Sequence, residues 1–203
     1  MLDGLMREVI DVPLNRGGGW LAARGFSANA VSLAGLGLGL LAAGLIALGY
    51  SGLYVVVPLL ASRLADGLDG AVARANGKTD FGGYLDIACD FVFYGAVPLA
   101  FVLHDPTLNG AAGAFLLAAF YANGATFLGF AVLAAKRGME TRSRGDKSLY
   151  FTAGLLEGTE TIVFFVIISL WPAAFVPAAW IFGVLCLVTA VSRVMLARRV
   201  FGD

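Results

Sequence analysis

The sequence predicts an all-α, polytopic membrane protein: six transmembrane helices, with an interfacial amphipathic helix ahead of them. Three observations carry this. The 203-residue chain is 59% hydrophobic and only 14% charged, whereas an average soluble chain carries about 25% charged residues. It divides into apolar stretches near the roughly 20 residues that cross a bilayer as a helix. Its 27 glycines are nearly twice the usual share of about 7%, and glycine lets membrane helices approach closely. The same composition excludes other classes. A formal net charge of zero argues against a nucleic-acid partner, which wants a basic excess. The hydrophobicity argues against disorder. Cys89 and Cys186 fall in apolar runs and give neither a disulfide framework nor a zinc signature.

The elements follow in order. Leu2, Leu5, Met6, Val9 and Ile10 recur at helical spacing, with Arg7, Glu8 and Asp11 on other faces. Residues 1–25 are therefore expected to lie in the membrane interface. The first span is expected over Ala30–Gly49 and the second from Leu53. The third should run over Gly82–Leu103 and the fourth over Ala111–Ala135. The fifth is expected over Leu149–Trp171 and the sixth over Ala174–Leu196. Residues 30–197 thus form one six-helix bundle, and the whole chain, 1–203, reads as a single membrane-embedded domain. No internal repeat of the transporter kind is visible.

All fourteen basic residues fall before the first span, near the second-to-third and fourth-to-fifth turns, or at the C-terminus. The opposite turns (Tyr50-Ser51-Gly52, His104-Asp105-Pro106, Trp171-Pro172) have none. By the positive-inside rule both termini are cytoplasmic. His104 reads as a loop residue.

The second and third spans contain Asp66, Asp69, Asp86 and Asp90, together with Arg74. Carboxylates inside a membrane are costly, so their default reading is functional. At 100° per residue, Asp66, Asp69, Gly70, Ala73 and Arg74 occupy one face about 140° wide. Gly82, Asp86 and Asp90 step by four along one stripe of the next helix. The short turn between these helices should make them antiparallel and adjacent, so that four carboxylates converge. Such anions repel strongly in a poorly solvated cleft, and a divalent cation, or a pair, resolves the repulsion. An all-oxygen donor set suits Mg²⁺ or Mn²⁺ rather than zinc. At this depth, near lipid phosphates, metal plus Arg74 reads as a phosphate or pyrophosphate site.

Asp66-x-x-Asp69-Gly70-x-x-Ala73-Arg74, seven residues, then Gly82-x-x-x-Asp86-x-x-x-Asp90 resembles the signature of the CDP-alcohol phosphotransferases (CDP-alcohol phosphatidyltransferases) at every position. Ser27-Ala28-Asn29-Ala30-Val31-Ser32 is similar to the start of that family's first span, with Ala28 where proline is usual. The resemblance implies that Asp66, Asp69 and Asp86 bind metal, expected as two Mg²⁺ or Mn²⁺ ions. It implies that Asp90 is shared between metal contact and the general base. Asp66, Asp69, Gly70, Ala73, Arg74 and Gly82 would accommodate the CDP moiety. The implied reaction is displacement by an alcohol at the lipid-linked phosphorus of CDP-diacylglycerol, with release of CMP. A homodimer in a bacterial inner membrane, with a cytoplasmic active site, is implied too.

The candidate acceptor residues are Glu157 and Glu160 in the fifth span, Arg142, Arg144 and Lys147 in the loop before it, and Arg193 near the end of the last span. After Asp90 the run Phe91-Val92-Phe93-Tyr94-Gly95-Ala96-Val97-Pro98 resembles the phosphatidylserine synthase branch. Phe91 stands where phosphatidylglycerophosphate synthases place lysine. Serine is therefore the expected acceptor. Glycerol 3-phosphate, inositol or inositol phosphate, and a CDP-choline or CDP-ethanolamine reaction, are the alternatives. A cation transporter is the more distant one, weakened because the four aspartates lie toward one side and a transport path needs polar groups at several depths.

Overall fold

In a computed structural model, residues 3–139 and 158–202 are described, and every regular element among them is helical. The helices are α1 (Asp3–Ala23), α2 (Ala28–Ala47), α3 (Leu53–Asn76), α4 (Asp80–His104), α5 (Pro106–Lys136), α6 (Gly158–Leu170) and α7 (Phe175–Phe201). A 3-10 turn at Pro172–Ala174 precedes α7. A helix thus stands at each expected span.

Four helices, α2, α4, α5 and the Pro172–Phe201 stretch containing α7, are long and apolar enough to cross a membrane, and α6 is a shorter apolar helix. The two other expected spans fall short of that measure for different reasons. The 24 residues of α3 include Arg63, Asp66, Asp69 and Arg74. The expected start of the fifth span at Leu149 lies outside the described residues, which leaves 13 residues in α6.

Local sequence explains the helix starts. Ser27 caps α2 by accepting from the Ala30 amide, which makes Ala28 the first helical residue. Proline is favoured at that position because the amide there has no intrahelical partner, so alanine serves equally well. Thr79 caps α4 by accepting from the Gly82 amide. Asp105 caps α5 through the Leu108 amide, with Pro106 in the first turn. His104, expected in a loop, instead closes the last turn of α4.

The packing places α2 at the centre of the N-terminal half, against both α3 and α4, while α5 pairs with α7 and also touches α4. Gly35 brings α2 onto α3, where an added Cβ would stand 3.1 Å from that of Ala65. Gly39 leaves room for the ring of Phe93 on α4. Both glycines therefore serve packing within this chain. The core is aromatic: Phe93, Phe165 and Phe175 are fully buried, Phe101 stacks on Phe175 at 4.4 Å, and Phe164 stacks on Phe182 at 4.3 Å.

One expectation changes. Although only Gly77–Thr79 separate them, α3 and α4 make few close backbone approaches to each other, because α2 packs on both. They are not a tight adjacent pair. The N-terminal segment is one helix, α1, docked on α3. Leu14 lies against Gly67, and Gly18 against Ala71, so closely that a Cβ on Gly18 would overlap it.

Candidate active site

The four aspartates, two on α3 and two on α4, come together between these helices, but not as one group. A carboxylate oxygen from each of Asp66, Asp69 and Asp86 lies within 4.8 Å of the others. Opposite ligands of one hard cation, at about 2.1–2.6 Å each, span about the same distance. Three acidic oxygens so close, with no His or Cys in the group, fit Mg²⁺, Mn²⁺ or Ca²⁺ better than zinc. Asp69 is the most enclosed, at 5% exposure. It accepts a very short hydrogen bond from the Ser32 hydroxyl on α2, whose oxygen also lies 3.1 Å from the Ala28 carbonyl oxygen one turn earlier.

Asp90 stands apart from this group. Its Oδ1 accepts from Arg63 Nη1 at 2.7 Å, while the same nitrogen is 3.7 Å from Asp66. The Arg63 guanidinium lies 3.9 Å over the ring of Phe93 and its Nη2 donates to Ser62. One buried arginine thus serves the acidic group, whose carboxylates still outnumber it. By charge pattern alone Arg63 counts with the basic residues near the second-to-third turn. It lies thirteen residues before the end of α3, a rise of roughly 20 Å, with its side chain only 9% exposed. Its Nε is buried without a hydrogen-bond partner, a desolvation cost of about 1–3 kcal/mol.

The nucleotide-side candidates are also placed. The Arg74 guanidinium is held by Asn15 of α1, at 2.7 Å to Nη2 and 3.2 Å to Nε. It lies beside Gly70, where an added Cβ would be 3.5 Å from Nη1. Gly82 faces Asn29 of α2, whose Oδ1 would stand 3.3 Å from a Cβ there. Arg74, Gly70 and Gly82 thus sit at the outer ends of α3 and α4, while the aspartates lie further in. Asp86 and Asp90 lie six and ten residues into α4, roughly 9 and 15 Å.

The acceptor candidates divide differently. Arg142, Arg144, Lys147 and Glu157 lie outside the described residues. Glu160 is in the first turn of α6. Arg193 ties α7 to α5, donating to the carbonyl and side chain of Asn123 and to the Thr126 hydroxyl at 2.8–3.0 Å.

The residues that sequence reasoning did not assign to the site are Arg63, Ser32, Asn15 and Asn29. Arg63 had a signal: it is three residues before Asp66, hence on the same helical face. Ser32 and Asn29 fall in the stretch already noted at the start of the first span. Asn15 had no signal, because its place depends on how α1 docks.

Residues 26–192 match the CDP-alcohol phosphatidyltransferase family. The chain belongs to this family. The CDP-alcohol phosphatidyltransferases are enzymes, and this one is a membrane transferase of phospholipid biosynthesis. It is 48% identical over 170 residues to the inner membrane protein YnjF of Escherichia coli (strain K12), covering 84% of this chain and 82% of that protein. Its fold is similar to that of the Mycobacterium tuberculosis phosphatidylinositol phosphate synthase PgsA1. With CDP-DAG bound, that structure is 24% identical, covers 92% of each chain and gives a TM-score of 0.62. In complex with manganese and citrate it gives 0.65, at 24% identity, over 90% of this chain and 86% of that one.

Proposed function

We propose that this phosphatidyltransferase moves the phosphatidyl group of CDP-diacylglycerol to a small polar alcohol, releasing CMP, with serine as the acceptor. The observation that carries the reading is the division of four aspartates into a three-carboxylate group and a separately held Asp90. Asp66, Asp69 and Asp86 would hold divalent metal, with Asp90 sharing in it. Metal bound there supplies positive charge for the pyrophosphate and for the departing CMP phosphate. Gly70, Ala73 and Gly82 leave room for the CDP moiety, and Arg74, steadied by Asn15, offers a guanidinium to the pyrophosphate.

Asp90 is the general base. With Oδ1 engaged by Arg63, Oδ2 is left to take the hydroxyl proton as the acceptor oxygen attacks phosphorus. The P–O bond to CMP breaks, and CMP leaves as its anion. For serine, a carboxylate such as Glu160 or Glu157 would meet the ammonium. Phe91 in place of a lysine removes a fixed cation that glycerol 3-phosphate would use. Arg142, Arg144, Lys147 and Arg193 are the cations available to an acidic group of the acceptor.

The chain acts as one domain over residues 1–203, in the inner membrane, with six spans and α1 lying at the interface. Both termini and the active site face the cytoplasm, which the distribution of basic residues supports. It is a homodimer. Gly35 and Gly39 are already used inside the chain, so the dimer pairs through other helix faces.

The test is a transfer assay with labelled CDP-diacylglycerol against serine, glycerol 3-phosphate, inositol and inositol phosphate. Serine-dependent CMP release with phosphatidylserine as product supports the reading. Phosphatidylglycerophosphate from glycerol 3-phosphate, without serine-dependent CMP release, overturns the acceptor.

A further inference from the structure

The geometry points to Arg63 as the positioning residue for Asp90: it holds one carboxylate oxygen and aims the other at the acceptor hydroxyl. This rests on the reading of Asp90 as the base.

Three features of the buried guanidinium support it. First, its position is fixed from several sides. Nη2 bonds Ser62, which is fully buried, and the plane lies over the fully buried Phe93 ring. Phe93 is itself seated against Gly39 of α2. A long side chain normally loses considerable freedom on burial; here that freedom is removed by core packing rather than by the carboxylate alone. Second, Nη1 is nearer to Asp90, at 2.7 Å, than to Asp66, at 3.7 Å. The arginine therefore selects one of two acids on different helices. Third, Nε stays buried and unpartnered. A guanidinium placed only to stabilise the bundle would be expected to satisfy that N–H; this one is held where its Nη1 edge meets the acids.

The consequence concerns how one site performs two tasks. Four equivalent carboxylates around divalent metal would all be drawn to it, and none would be free to accept a proton. A fixed cation beside one of them competes with metal for that carboxylate and sets its direction. Arg63 lies outside the eight-residue signature, so this device belongs to the particular α3 sequence Ser62-Arg63-Leu64-Ala65-Asp66.

The experiment compares purified Arg63→Gln, Arg63→Lys, Arg63→Ala and Asp90→Asn in the full-length protein. It measures kcat, KM for CDP-diacylglycerol and for the acceptor, and Mn²⁺ affinity. Arg63→Gln should lower kcat about a hundredfold, the scale of a misaligned reacting group. KM for CDP-diacylglycerol should stay within about twofold, the pattern of a lost transition-state interaction, and Mn²⁺ affinity should be equal or tighter. Arg63→Lys should recover part of the rate, as should guanidinium ion added to Arg63→Ala. Full kcat in Arg63→Gln overturns the proposal. So does a rise in the acceptor KM alone, which would make Arg63 an acceptor-binding residue. Loss of Mn²⁺ affinity together with thermal stability, without guanidinium rescue, also overturns it in favour of a structural role. Wild-type turnover in Asp90→Asn would instead remove the base assignment itself; an inactive Asp90→Asn beside a fully active Arg63→Gln would remove only the positioning role.

Discussion

Ser32 of α2 donates its hydroxyl proton to the buried Asp69 carboxylate of α3, linking two helices at the three-carboxylate group. The bond crosses 37 residues of sequence. Because α2 packs on both α3 and α4, the helix between the two acidic helices also orients the most enclosed of the acids.

Ser32→Ala leaves that carboxylate with one fewer donor. A hydrogen bond to a charged group contributes about 1.5–3 kcal/mol, so the Mn²⁺ dissociation constant should rise about tenfold or more. Ser32→Thr keeps the hydroxyl and should lie between the alanine variant and wild type. A Mn²⁺ titration of the three proteins checks this; equal affinities would show that the hydroxyl is not used.

Asp90→Asn should abolish turnover while CDP-diacylglycerol binding persists, since shape and one oxygen are kept and only the base is lost. Asp69→Asn should instead weaken both donor and metal binding. Paired measurements of turnover and donor affinity separate the two roles. Equal loss of donor affinity in both variants would contradict the division.

Much of this arrangement was legible in the sequence. The helix positions followed from apolar length and turn residues, and the gathering of Asp66, Asp69 and Asp86 from helical spacing. Among the described residues four helices are long and apolar enough to cross a membrane, and Arg63, Asp66, Asp69 and Arg74 make α3 more polar. Long-range packing was not legible. The short Gly77–Thr79 turn suggested that α3 and α4 touch, whereas α2 packs on both. Arg63 looked like a flanking positive charge because charge counting along the chain ignores depth. Its burial depends on Phe93, thirty residues away, and on the space that Gly39 leaves for that ring.

Gly39→Ala tests that last dependence. A Cβ at this position would stand 3.0 Å from Ser62 Oγ and closer still to Phe93, so the ring and the arginine over it must shift. Overpacking of this kind costs about 1–3 kcal/mol. The thermal midpoint in detergent should fall, and turnover measured below that midpoint should fall with it. Unchanged stability would mean that the Phe93 ring has space the structure does not show.

The role proposed for Asp66, Asp69 and Asp86 is to hold divalent metal for phosphatidyl transfer from CDP-diacylglycerol. Its most direct test is CMP release by the purified protein in lipid, with metal supplied and then chelated. Turnover should appear with Mg²⁺ or Mn²⁺, disappear in excess EDTA, and return when the ion is restored. Full turnover in excess EDTA would contradict the account.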